Sequence, residues 1–190
     1  MLNKNSNFSD KIFHAIEFAA RAHQGQFRKG TKIPYIVHPI GVMRILIDHN
    51  CPPEVVIAGI LHDTVEDSTV TLIDIAKHFG SEVRDLVEFA SEPDKSDTWE
   101  NRKQHTINVI KTASLNALFV ISADKLDNLT SIYEDFLKSG ELFWHRFNRP
   151  KEKQHWYFRS VAEQFEKRYY EGLKYSLFLQ ITPLIKKIFA

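Results

Sequence analysis

Apolar positions recur at intervals of three and four over most of this chain, the period of helices that bury one face. Ile12, Ile16, Ala19 and Ala20 share a face of a first helix, which Ser9 or Asp10 can cap and which runs to about His23. Gly25, Gly30 and Pro34 mark residues 24–34 as a loop. Pro39 suits a first helical turn, and Val42, Ile45 and Leu46 carry that second helix to about Asn50. Pro52 and Pro53 open a third helix through Val55, Val56, Ala58, Ile60 and Leu61. Thr71 can cap a short helix that stops at Gly80, and Ser81 starts another through Val83, Leu86 and Val87.

A polar break follows over residues 91–98. A charged helix is then predicted from about Trp99 to Thr112. Ser114 begins a long apolar one through Leu118, Val120, Ile121, Ala123, Leu126 and Leu129. A surface segment ends at Arg149-Pro150. A last long helix or helix pair fills residues 151–190, interrupted near Thr182-Pro183. No pair of alternating strand patterns occurs. The pattern predicts an all-α fold, a single domain over residues 1–190 with a C-terminal helical extension from about residue 151.

Composition agrees with that reading. With 190 residues, 43% of them hydrophobic and 26% charged, the chain can bury a core without staples. Seven Gly and seven Pro are few for a loop-rich all-β fold. A net charge of +1 supplies no basic excess for nucleic acid. The single cysteine, Cys51, allows neither an internal disulfide nor a cysteine metal cluster, and suits a reducing compartment. The polar start lacks the apolar stretch of a secretory signal, and no run of about 18 apolar residues exists to span a membrane. A cytoplasmic protein is expected.

Three short pieces carry metal-binding groups: His38 before Pro39, the pair His62-Asp63, and Asp124 in an apolar stretch. Each sits beside residues that should face the core, where an unpartnered imidazole or carboxylate is costly. A shared divalent cation would partner all four. Two imidazoles and two carboxylates suit Mn²⁺, Fe²⁺, Co²⁺, Ni²⁺ or Zn²⁺, and leave a +2 ion formally neutral. Open positions could hold a water and a phosphate oxygen. The bland alternative is a hydrogen-bonded core histidine and a helix aspartate paired with a base. On a helix, Glu66 lies one turn beyond His62 and Asp67 one turn beyond Asp63. These acids either act on the attacking water and the leaving oxygen or end a helix in solvent.

Longer motifs surround these residues. Ala19 to Gly30 reads AARAHQGQFRKG, residues 34–39 read PYIVHP, and residues 61–67 read LHDTVED. Together with Phe79-Gly80 and ADKLDN at residues 123–128, they resemble the hydrolase domain of RelA/SpoT-type enzymes of the HD phosphohydrolase superfamily. The likeness covers roughly Ile12 to Leu129 and is looser around Trp156-Tyr157. The chain is too short for the synthetase and regulatory domains of the long enzymes, and so is most similar to small alarmone hydrolases.

The resemblance implies removal of the 3′-pyrophosphate from guanosine tetra- or pentaphosphate, usually with Mn²⁺. It implies that His38, His62, Asp63 and Asp124 bind the metal and that Glu66 and Asp67 act on the water. Arg28, Lys29, Asn128 and Tyr157 carry over as substrate contacts, whereas Tyr35 is read as structural. One departure is Asp127, which stands where the long enzymes have His. Lys95, Arg102 and Lys103 are candidate outer phosphate contacts.

Alternative readings are a broader nucleotide 3′-phosphohydrolase, acting on an adenosine analogue or a 3′-phosphorylated dinucleotide, and a silent nucleotide sensor. The aromatic-rich segment from Trp144 to Arg159 is read mainly as packing. The stripe Leu177, Ile181, Leu184, Ile185 and Ile188 is read as packing on the domain or on a second copy, which leaves room for a homo-oligomer, or else as a membrane-surface helix.

Overall fold

The computed structural model describes residues 8–92 and 96–189. These residues form helices throughout and no strand. The nearest thing to a sheet is an isolated antiparallel bridge between Phe27 and Pro34, which closes the loop after the first helix. Two compact units emerge, each drawn from two stretches of sequence. Of the described residues, the first holds 8–91 and 116–124, and the second holds 92, 96–115 and 125–189.

In the first unit, α1 (Phe8–Ala22) buries Ile12, Ala15 and Ala19 along one stripe. It starts earlier than predicted, so Ser9 and Asp10 lie in its first turn rather than at the cap. There Asp10 still faces the positive end of the helix dipole. The next helix, α2 (Val37–Asp48), buries His38, Pro39, Val42 and Leu46 at helical spacing. Pro53 opens α3 (Pro53–Leu61), where its missing N–H costs nothing.

Every residue of α3 from Val55 to Leu61 is buried, as expected for a helix that is apolar all round. It packs against α1 and α2 and against α6 (Ser81–Ala90). Gly59 permits the close approach to α2: a Cβ there would stand 2.4 Å from Leu46 Cδ1 and 3.1 Å from Val42 Cγ1.

A single turn, α4 (Thr64–Asp67), follows α3 after a break at His62 and Asp63. Then comes α5 (Leu72–Phe79), whose start has the reciprocal capping predicted for Thr71. Asp74 N–H donates to the Thr71 hydroxyl, and Thr71 N–H donates to the Asp74 carboxylate. Gly80, at φ 96°, separates α5 from α6. The unit is completed by residues 116–124 of a later helix, α8 (Leu115–Ser139). Within them Ala117, Leu118, Val120, Ile121 and Ala123 are buried.

In the second unit, the Thr98 hydroxyl caps α7 (Trp99–Thr112) by accepting from Asn101 N–H. Arg168, on α9 (Lys151–Tyr170), donates to the carbonyls of Ile110, Lys111 and Ala113 at the other end of α7. A cation there meets both the open carbonyls and the negative end of the dipole.

The segment expected on the surface before Arg149-Pro150 contains a 3-10 helix, Gly140–Arg146, that buries Phe143 and Trp144. The C-terminal break lies elsewhere than predicted. The α9 helix ends at Tyr170, Gly172 takes φ 128°, and α10 (Ile181–Phe189) begins before Thr182-Pro183. Pro183 thus sits in a first turn, which needs no N–H from it. Leu177, Ile181, Ile185 and Ile188 are buried, with α10 packed on α9, so the apolar stripe is core rather than a membrane face. No helix among the described residues is long and apolar enough to cross a membrane.

Candidate metal centre

The centre lies wholly within the first unit. His38 enters from the first turn of α2, His62 and Asp63 from the break between α3 and α4, and Asp124 from α8. Both imidazoles are buried, at 1% and 2% exposure, and Asp124 is at 6%.

His62 Nδ1 lies 2.8 Å from the Gly59 carbonyl, which can only accept, so Nδ1 carries a proton and donates it. That assigns the lone pair of the neutral ring to Nε2. Nε2 stands 3.3 Å from His38 Nε2, 3.2 Å from Asp63 Oδ2 and 3.8 Å from Asp124 Oδ1. His38 Nε2 in turn is 3.5 Å from Asp63 Oδ2 and 3.3 Å from Asp124 Oδ1.

These spacings fit a common ion. Metal bonds of about 2.0–2.2 Å put neighbouring ligand atoms about 3 Å apart. His38, His62 and Asp124 each offer one ligand atom, all within 4.8 Å of one another, a triad able to hold a divalent metal.

Electrostatics points the same way. Burial pushes the His62 imidazole toward its neutral form, but the Asp63 and Asp124 carboxylates outweigh burial and lift its pKa to about 10. Burial likewise opposes charge on Asp63, yet the adjacent His62 holds its carboxyl well below the usual range. The buried Asp124 and half-buried Asp63 carboxylates, set against two imidazoles, call for a positive charge. A proton on a histidine is one way to supply it, and a metal ion is the other.

Tyr35 has a part here that the sequence did not suggest. Its hydroxyl donates to Asp63 Oδ2 at 2.5 Å. Burial, and then the Asp63 charge, push its pKa far above the ordinary tyrosine value, so it stays a donor. The only hint in the sequence was its position three residues before His38.

The acid pair lies on α4. Glu66 and Asp67 are half-buried, and Asp67 N–H donates to the Asp63 carbonyl at 3.0 Å, preserving the helical spacing between the two aspartates. Arg28 is half-buried and Lys29 exposed, both in the loop closed by the Phe27–Pro34 bridge.

Other predicted residues belong to the second unit. Asn128 is half-buried on α8. Tyr157 is buried on α9, with Lys103 Nζ 4.9 Å and Lys125 Nζ 6.0 Å from its ring centroid. Its hydroxyl is buried with no hydrogen-bond partner among the described residues. Arg102 and Lys103 both pair with Glu92. Lys95 lies outside the described residues.

The family model described as HD domain matches residues 15–139. The human guanosine-3′,5′-bis(diphosphate) 3′-pyrophosphohydrolase MESH1 is 42% identical over 125 residues, which cover 64% of this chain and 69% of the human protein. Among solved structures, lmo0812 from Listeria monocytogenes EGD-e is 40% identical with a TM-score of 0.73, over 84% of this chain and 100% of that one. A metazoan ortholog of SpoT that hydrolyzes ppGpp is 28% identical with a TM-score of 0.75, over 98% of each chain.

Proposed function

The chain belongs to the HD-domain family, and from that premise we propose that it hydrolyses the 3′-pyrophosphate of guanosine 3′,5′-bispyrophosphates. The products are GDP or GTP and pyrophosphate. One observation carries the reading: two imidazole nitrogens and a carboxylate oxygen converge within 4.8 Å in a chain 42% identical to a hydrolase of that name.

In this reading Asp63 joins His38, His62 and Asp124 as a ligand, supported by Oδ2 lying 3.2 Å and 3.5 Å from the two Nε2 atoms. Mn²⁺ suits the mixed nitrogen and oxygen set. A bound ion would lower the pKa of a water and polarise the phosphoryl group. Glu66 and Asp67 orient the attacking water and take its proton. The water oxygen bonds to the phosphorus next to the ribose 3′ oxygen, that P–O bond breaks, and the 3′ oxygen is protonated.

Arg28 and Lys29 are assigned to the phosphates, a forked and a point cation respectively. Asn128 and Tyr157 are assigned as nucleotide contacts. For Tyr157 the support is its unpartnered buried hydroxyl. A cytoplasmic setting fits a nucleotide substrate.

The test is incubation of purified, Mn²⁺-loaded protein with ppGpp, followed by chromatographic separation of nucleotides. Absence of GDP at high enzyme concentration sinks the proposal. An adenosine analogue and a 3′-phosphorylated dinucleotide, assayed in parallel, measure the preference for guanosine. His62→Ala or Asp63→Ala should lose metal and activity together, whereas Glu66→Ala should keep metal and lose rate.

A further inference from the structure

The turn that carries Glu66 and Asp67 is short: Asp67 N–H donates to the Asp63 carbonyl at 3.0 Å, and the Ser68 hydroxyl to the Thr64 carbonyl at 2.7 Å. Helix α4 has four residues, fewer than cooperative helix formation needs, and the chain turns extended at Ser68 directly after it. Its last carbonyls have no partner further along a helix. One of them, Asp67 C=O, accepts from Gln26 Nε2 at 2.5 Å, across 41 residues of sequence.

The other end of that amide is also fixed. Gln26 Oε1 lies 2.8 Å from His23 Nδ1. Because the Asp67 carbonyl is an obligate acceptor, the amide must present its NH₂ there and its oxygen to His23, which then donates from Nδ1. His23 is buried, and its Nε2 has no hydrogen-bond partner, so the bond to Gln26 is the ring's one hydrogen bond among the described residues.

The ring also rests against Tyr35, 4.8 Å between centroids. Gln26 C=O accepts from Tyr35 N–H at 3.0 Å, beside the Phe27–Pro34 bridge. One loop therefore grips both ends of the segment from Asp63 to Asp67. Tyr35 holds the Asp63 carboxylate, and Gln26 holds the Asp67 backbone.

We propose that Gln26, oriented by His23, is a positioning residue for hydrolysis that caps α4 and thereby fixes Glu66 and Asp67 toward the attacking water. This rests on the reading of Glu66 and Asp67 as the groups that act on that water. Gln26 touches neither substrate nor metal in this scheme. Its contribution should fall on the rate of the chemical step and spare metal and substrate binding.

The experiment is a double-mutant cycle on the Mn²⁺-loaded enzyme with ppGpp. Gln26→Met keeps the length of the side chain and removes both hydrogen bonds. Gln26→Glu keeps the shape and removes the donor to Asp67. Each should lower kcat by about 10- to 100-fold, the usual loss when a supporting shell is removed. KM and the Mn²⁺ dissociation constant should stay within about threefold of wild type, under 1 kcal/mol. In a Glu66→Gln background, Gln26→Met should cost less than about threefold further, because the group it positions is already disabled.

Full multiplication of the two losses overturns the proposal, as does a loss confined to KM or to metal affinity. Loss of the folded state in both Gln26 variants, seen by thermal melting, also overturns it by making the residue merely structural. If Glu66→Gln and Asp67→Asn both keep kcat, the acid-pair reading itself falls. If Glu66→Gln loses rate and Gln26→Met does not, only the positioning role falls.

Discussion

Gly59 offers the sharpest test of how the centre is built. Replacing it with alanine should gain about 1 kcal/mol of helix propensity. The new Cβ would stand 2.4 Å from Leu46 Cδ1, against about 3.5–4.0 Å for a comfortable carbon contact. Leu46 is fully buried and cannot swing into solvent to make room. Overpacking of this kind costs about 1–3 kcal/mol. Gly59→Ala should therefore be destabilising by up to about 2 kcal/mol despite its better propensity.

A Leu46→Ala background separates the clash from the propensity. That change alone should cost about 2–5 kcal/mol. With the Leu46 methyl gone the nearest remaining atom is Val42 Cγ1 at 3.1 Å, so Gly59→Ala should cost about 1 kcal/mol less than in the wild type. Urea unfolding of the four proteins, compared at matched slopes, measures both steps. Equal effects of Gly59→Ala in the two backgrounds, within about 0.5 kcal/mol, would refute the close approach as the reason for the glycine. In the wild-type background, Mn²⁺ affinity should fall as well, because the Gly59 carbonyl orients His62.

Three further outcomes are expected. Tyr35→Phe should weaken Mn²⁺ binding by about 10- to 100-fold through loss of the bond to Asp63, and an unchanged metal titration would remove Tyr35 from the site. Stripped of metal, the centre should hold a proton on His62 up to about pH 10, so metal binding displaces it. Apparent Mn²⁺ affinity should then rise by about tenfold per pH unit across the neutral range, and a flat dependence counts against the proton. Burial and His78 depress the pKa of His14 below about 6.5, so the unfolded chain binds that proton more readily. Its contribution is present above that pH and lost as pH falls below it, and His14→Gln should flatten this acid-side fall in Tm.

The starts of α3 and α5 were legible because their signals are local. Thr71 with Asp74 and Pro53 at a first turn each act within four residues. The C-terminal break was misplaced because Pro183 is a breaker only beyond a first turn, whereas Gly172, which takes the left-handed backbone, looked unremarkable in a polar stretch.

At the centre, the convergence of His38, His62 and Asp124 could be anticipated from polar groups set in apolar surroundings. Their supports could not. Tyr35 meets Asp63 across 28 residues and Gln26 meets Asp67 across 41, and only the path of the loop between them brings those pairs together. The long reach of α8 to Ser139 was also hidden, since beyond Leu129 polar positions dilute the apolar stripe that marks its first half.

The bond from His62 to the Gly59 carbonyl bears on how this centre tolerates mutation. In many metal sites a carboxylate side chain fixes the ligand tautomer, and a single codon change can delete it. Here the acceptor is a main-chain carbonyl, which every amino acid supplies. The tautomer of His62 is thus shielded from drift at any one neighbouring position. Only a change that displaces α3 itself can reach it, which concentrates the inherited vulnerability of this imidazole in the packing around Gly59.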